Sequence, residues 1–412
     1  MSIRIKELKM LFERISSFGR EENGGITRLS WSPSFLEAQR FLENYMKEIG
    51  LQTRIDAFGN LMGTRPGKEE RPPVFCGSHL DSVPNGGAFD GALGIIAALE
   101  VMRSWQEEGF DPLRPVTVVA FAEEEGTLFN GHACMGSRFL TGELDLQARD
   151  IFRTASGTSL RELVSCYPAQ SPDFFPLEPI NRGSAYIELH IEQGNLLEEK
   201  GLQAGIVTTI VGIRHFTLLI KGRANHAGTT AMHRRQDAMV AAASLITFIY
   251  QRAKSADNTY VATNGRIEAS PNAENVVAGE VRLSVEIRAE RMEIIERVFD
   301  EIRNQISCVE QEFVVTVSVC GKNDLLPVPM DESLIRIMEK CAGETGLPYL
   351  KMPSWAGHDA MIMARHMPTA MLFVPSIEGI SHAPEERSRF EDIEQATILL
   401  DKTLRTLVCA GV

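Results

Sequence analysis

His79, Asp81 and Asp90 share one short stretch, GSHLDSVPNGGAFDG (77–91). An imidazole and two carboxylates are side chains that hold divalent cations or move protons. Their setting is glycine, proline, serine and asparagine, which is turn composition. It reads either as a solvated turn or as a metal site. Further on, Glu123, Glu124 and Glu125 stand in a row after the apolar run VTVVAFA (116–122). Three glutamates alone read as a solvated face. A strand this apolar is central, however, and its end is enclosed. Adjacent like charges there repel and lose hydration, and a bound cation resolves that conflict. His190 lies near the end of a third such run, SAYIELHI (184–191). His382, in GISHAPEE, follows a fourth, TAMLFV (369–374).

Singly, a histidine at a strand end is a structural residue. The argument is convergence: four strand ends each deliver histidine or acid, and ligands of open α/β sheets bind outside the carboxyl ends of strands. Mixed His/Asp/Glu donors suit zinc, manganese, cobalt or nickel, and no cysteine is placed for a thiolate site. Two ions need a shared ligand, and a carboxylate has two oxygens. Asp90, flanked by glycine, can approach closely.

The elements that must position these residues alternate between helix and strand. Ser32 caps and Pro33 starts a helix that reaches residue 49. Residues 73–77 form a strand. Asp90 caps a helix over 91–105, and 116–122 is a buried strand. This pattern predicts an α/β layered sheet. The middle reads as strand (215–220), helix (237–253), strands (260–269 and 281–288), helix (292–309) and strand (313–319). That order is β-α-β-β-α-β, the split βαβ signature. The expected organisation is therefore a layered α/β domain over 1–210 and 327–412, with a ferredoxin-like domain inserted over 211–326.

The totals agree. A chain of 412 residues is too long for one ordinary core. A net charge of −13 argues against nucleic acid or an anionic membrane as partner. No apolar run reaches the roughly 18 residues of a membrane span. The charged N-terminus reads as an amphipathic helix, not a signal peptide. Cys76, Cys134, Cys166, Cys308, Cys320, Cys341 and Cys409 are scattered, with no CxxC pair, which predicts a reduced, cytoplasmic protein.

GSHLDSVPNGGAFDG, AEEEG, ELHIEQG, NHAGTT and GISHAPEE, with GGITRLSWSP nearer the N-terminus, resemble the metallo-amidohydrolase family of allantoate amidohydrolase, N-carbamoyl-L-amino-acid hydrolase and β-ureidopropionase. That group is related to aminoacylases and dizinc aminopeptidases. The likeness covers nearly the whole chain. It implies two divalent ions per subunit, zinc or manganese first, with cobalt or nickel as alternatives. His79, Asp90, Glu125, His190 and His382 would be the ligands, with Asp90 as the bridge. Glu124 would be the general base, and Asp81 the carboxylate that orients His79, because a ligating imidazole needs its other N–H held. In the inserted lid, His226 would polarise the scissile carbonyl, often from the partner subunit. Asn275 and Arg288 would hold a substrate carboxylate, a task suited to arginine's planar fork. Gln193 is placed for the ureido group, and His358, in GHD, is a further substrate-contact candidate. The plainer readings are a polar turn around His226 and a surface arginine at Arg288. His215, His233 and His366 read as structural or surface residues, and His132 has no assigned role. The resemblance also implies a homodimer through the inserted domain and a small ureido acid as substrate.

Within that family AEEEG, VGIRH and FVPSIEGISH favour the allantoate branch. N-carbamoyl-L-amino acids are the alternative substrates. An aminopeptidase or aminoacylase would keep the metals and take a different acyl group. A non-catalytic binding protein would lack a ligand or the base, and here all are filled. Ala231 departs from the proline common after NHAGTT, which bears on local loop rigidity.

Overall fold

The computed structural model describes residues 3–129, 131–144, 151–165 and 185–409. Cys166 and the first residue of the expected strand at 184 lie outside the described residues. The chain forms two compact units, Met1–Thr208 with Pro329–Val412, and Thr209–Val328.

The larger unit is built on a mixed sheet. Its order runs Gln52–Ile55, Leu61–Arg65, Val116–Phe121, Val74–His79, Ala185–Ile191, Thr369–Val374, Ala204–Ile210. The four strands from Val116–Phe121 to Thr369–Val374 are mutually parallel. Every residue in all four is buried, which is why they read as continuous apolar runs. Helices cover the faces. Ala92–Glu108 is buried from Ala92 to Trp105. Ile5–Ser16 and Phe390–Cys409 pack against it, each burying one apolar stripe. The indole N–H of Trp105 donates to Asp401, tying two of these helices together.

The smaller unit is a sheet ordered Ile267–Ser270, Glu280–Ala289, Gly212–Lys221, Thr316–Leu325, with Tyr260–Thr263 also paired to Glu280–Ala289. Helices Ala238–Lys254 and Met292–Phe313 pack on it around Leu245, Ile295, Val298 and Ile302. Three expectations change, two in this unit and one in the larger. The strand over 260–269 is two strands, broken where Asn264 and Arg266 hydrogen-bond Ser284 instead of continuing the ladder. The second helix continues to Phe313 and ends at Val314 in a left-handed conformation, φ 53°, so the last strand begins at Thr316. The helix after Asp90 is capped without the Asp90 side chain: its N-cap is Gly91.

Trp105 is fully buried. Trp105→Ala should lower unfolding stability by about 3–5 kcal/mol, as deletion of a core aromatic does. Trp105→Phe keeps most of the volume but removes the donor to Asp401, and should cost about 1–3 kcal/mol. Denaturant midpoints followed by far-UV circular dichroism test the ordering.

Candidate metal centre

The parallel strands place the chemistry at their carboxyl ends. His79 is the last residue of its strand, His190 is the next to last of its own, and the acidic triplet follows Phe121. His382 lies in the loop after Thr369–Val374. Asp90 arrives from the loop before the long buried helix. All converge on Asp90. Its Oδ1 lies 3.2 Å from His79 Nε2 and 3.1 Å from His190 Nε2. Its Oδ2 lies 3.2 Å from His382 Nε2, which is itself 3.6 Å from Glu125 Oε2. Glu124 Oε2 stands 3.8 Å from His79 Nε2. Among the described residues, three triplets can each surround one cation: His79–Asp90–His190, Asp90–Glu125–His382 and His79–Glu124–Glu125.

The hydrogen bonds decide what these contacts are. The Nδ1 of His79 meets the Asp81 carbonyl at 3.0 Å, and the Nδ1 of His190 meets the Ile191 carbonyl at 2.9 Å. A carbonyl only accepts, so each Nδ1 carries the proton and each neutral ring turns an Nε2 lone pair toward Asp90. Lone pair then faces carboxylate oxygen, an arrangement that requires positive charge between or on the groups. The separations of 3.1–3.6 Å resemble the roughly 3.3 Å edge of a tetrahedron with bonds of about 2.05 Å. The buried Oε1 of Glu125 and Oε1 of Gln193 have no hydrogen-bond partner among the described residues. The donor set therefore fits divalent cations.

Electrostatics point the same way. Burial, then the Asp90 charge, pushes the Glu125 carboxyl up to about 7. Burial also holds Glu124 well above the usual carboxylate range. The hydrogen bond to Asp90 lifts His382 to about 9. Burial opposes charge on His79, yet Glu124, Asp90 and Asp81 together hold it well above its ordinary value. Shifts toward the proton-bound form on carboxyls and imidazoles alike mark a site with excess buried negative charge, which a bound cation relieves.

Asp81 differs from expectation. Its carboxylate is 3.8 Å from His79 Nδ1, and its backbone carbonyl holds that nitrogen. The carboxylate instead accepts the N–H groups of Glu124 and Glu125, each at 3.2 Å, and so fixes the acidic turn. Gln193 donates to Asp90 Oδ2 at 2.7 Å. His358 is buried, stacks edge-on to His190 at 4.5 Å and shares a 2.9 Å hydrogen bond with Ser354.

The remaining candidates belong to the smaller unit. His226 sits on a short antiparallel pair, Asn225–His226 against Val276–Val277. Its Nδ1 accepts the N–H groups of Gly228 and Thr229 at 3.0 and 3.3 Å. Backbone N–H only donates, so in the neutral ring the proton is on Nε2, which points outward as a donor. Asn275 is anchored through its carbonyl to the Ala227 N–H. Arg288 donates through Nε to Glu286, whose other oxygen pairs with His215. Ala231 holds φ −58°, a value proline would adopt, so the loop keeps that shape without it. His366 pairs with Glu143, His132 packs on Phe152, and His233 is exposed.

Sequence reading missed two supports. Glu188, fully buried, accepts from Ser78 Oγ and the Ala360 N–H, linking the His79 strand to the turn after His358. An acid inside AYIELHI was the available signal. Arg28, also buried, donates to the carbonyls of Leu80, Ile15 and Phe18 and so grips the loop beside His79. Nothing in the local pattern marked it.

Gly91 has φ 63° and ψ −53°, and a Cβ there would lie 2.4 Å from the His79 ring. Gly91→Ala should yield folded protein that loses bound metal, by about tenfold or more in affinity. Metal analysis after dialysis checks this.

The pattern matches known proteins. The model of Peptidase family M20/M25/M40 matches residues 75–406. The chain is 36% identical to allantoate amidohydrolase of Escherichia coli (strain K12), covering 92% of each chain. It is 37% identical to N-carbamoyl-L-amino acid amidohydrolase of Geobacillus stearothermophilus, again covering 92% of each. The crystal structure of a hydantoinase/carbamoylase-family amidase from Burkholderia multivorans superimposes with a TM-score of 0.91 at 28% identity, covering 100% of this chain and 99% of that one. With six ligand-type side chains gathered around the carboxyl ends of the parallel strands of a mixed sheet, the chain belongs to peptidase family M20/M25/M40.

Proposed function

We propose that the chain is a metal-dependent amidohydrolase that cleaves a ureido C–N bond, with allantoate as substrate. The products are ureidoglycine or its breakdown product, ammonia and carbon dioxide. The observation that carries this reading is Asp90, whose two oxygens face two different sets of donors. His79 and His190 would hold one ion, and Glu125 and His382 the other, with Asp90 shared. Zinc or manganese suits this donor set best.

Such a pair of ions supplies an acidified water and a Lewis-acid contact for a carbonyl oxygen. The chain's own residues do the rest. Glu124, buried beside His79, takes the proton from water and returns it to the leaving nitrogen. His226 offers an Nε2–H donor to the carbonyl oxygen as it gains charge. Arg288 and Asn275 hold the substrate carboxylate, Gln193 the ureido group, and His358 lines the pocket beside His190. We assign residues 211–326 the roles of lid and dimerisation domain. Met239, Val240 and Tyr250 leave an exposed apolar stripe on helix Ala238–Lys254, and Ile267–Ser270 ends the sheet. A second copy of the chain would cover both. Cys76, Cys134, Cys308, Cys320, Cys341 and Cys409 are free thiols, which fits a cytoplasmic setting. Among the described residues no helix is long and apolar enough to cross a membrane.

N-carbamoyl-L-amino acids also carry a carboxylate beside a ureido group and would use the same residues. Ammonia release by manganese-reconstituted protein decides between them. We expect a higher kcat/KM for allantoate than for any N-carbamoyl-L-amino acid, with loss of turnover in chelator. Preference for an N-carbamoyl substrate would replace the allantoate assignment, and no ammonia from either would reject ureido hydrolysis. Glu124→Gln should lower kcat about 10²–10⁴-fold while metal content stays unchanged. Near-normal turnover in that variant would remove Glu124 from the proton transfer.

A further inference from the structure

One carboxylate joins the two loops that carry Asp90 and His382. Glu386 is 3% exposed. Its Oε1 accepts the N–H groups of Phe89 at 2.9 Å and Asp90 at 3.0 Å. Its Oε2 accepts the Ser381 hydroxyl at 2.8 Å and the His382 N–H at 3.3 Å. A carboxylate offers about four lone-pair directions, so four donors saturate it. Glu386 itself lies 296 residues beyond Asp90 in the chain. Gly87 makes the room: a Cβ there would lie 2.0 Å from Oε1 and 2.1 Å from the carboxyl carbon.

The arrangement carries an electrostatic cost. Glu386 adds a buried carboxylate next to Asp90, at a site already rich in acid, and the two repel. A neutral filler would avoid that repulsion but could not accept from both loops at once. His382 needs such a hold. Its side chain is 48% exposed and its backbone has φ 56°, so packing alone fixes it weakly. Ser381 is within reach of both acids, 2.8 Å from Glu386 and 3.1 Å from Asp90 Oδ2, and has one proton to give. Donated to Glu386, that proton leaves Asp90 Oδ2, which accepts from Gln193, a second lone pair for a cation.

We propose that Glu386 is a positioning residue that preassembles the Asp90–Glu125–His382 triplet by locking the backbones of Asp90 and His382 to one carboxylate. This rests on the two-ion reading of the site. Removing it loosens one ion more than the other, because His382 belongs to one triplet while His79 and His190 are held by other carbonyls.

The test is a metal-buffered manganese titration of the full chain, with bound metal counted by elemental analysis. The wild type should bind two equivalents. In Glu386→Gln, an amide N–H₂ faces donors it cannot accept from, and the weaker equivalent should lose about 10–100-fold in affinity. The other equivalent should change less. At saturating manganese, kcat should recover and KM should stay within about twofold, a rescue that general destabilisation would not show. Gly87→Ala, which crowds the same carboxylate from the opposite side, should reproduce the metal defect and carries the test if Glu386→Gln does not fold. Unchanged affinity for both equivalents in the folded variants overturns the proposal, as does lost kcat that manganese cannot restore. A wild type that binds two equivalents but hydrolyses no ureido acid rejects the substrate reading and leaves this inference standing. A wild type that never binds a second equivalent overturns both.

Discussion

The site is organised by one electrostatic conflict. Asp90 is buried, and its two oxygens face the Nε2 atoms of three histidines at 3.1–3.2 Å. Two of those histidines have their Nδ1 protons committed to backbone carbonyls, so lone pairs point at a carboxylate. Glu124 and Glu125 add further negative charge nearby. In a low-dielectric interior, such a cluster requires compensating cations. The surrounding architecture holds donors in place against their mutual repulsion.

The parallel sheet makes that possible. Strands buried on both faces give rigid ends, and residues just past those ends inherit the rigidity. His79 and His190 sit on strand termini and need little else. The loop-borne groups need ties, and the chain supplies them as carboxylates and carbonyls that clamp backbone: Asp81 on the acidic turn, Glu188 between strand and helix, Glu386 between Asp90 and His382. Acids outside the three candidate triplets thus decide where the triplet residues stand.

Much of this was legible in the sequence, for a physical reason. Fully buried parallel strands are written as largely apolar runs, so their ends, and the histidines and acids at those ends, can be read directly. Asp90 was legible as a member of the His/acid cluster but misread as a helix cap, because a small acid before a helical stretch has the same local signature in either role. Asp81 was found, but which of its oxygens meets His79 depends on a backbone turn that composition does not encode. The split of the strand over 260–269 depends on Ser284 across the sheet. Glu386 and Arg28 act on segments far away in the chain, so local pattern could not assign them.

The central claim is that two cations share Asp90. An anomalous-difference map from crystals grown with manganese tests it most directly. The account predicts two peaks, roughly 3.5–4 Å apart as in other two-ion sites, one among His79, His190 and Asp90 and the other among Glu125, His382 and Asp90. A single peak, or peaks away from Asp90, would contradict it.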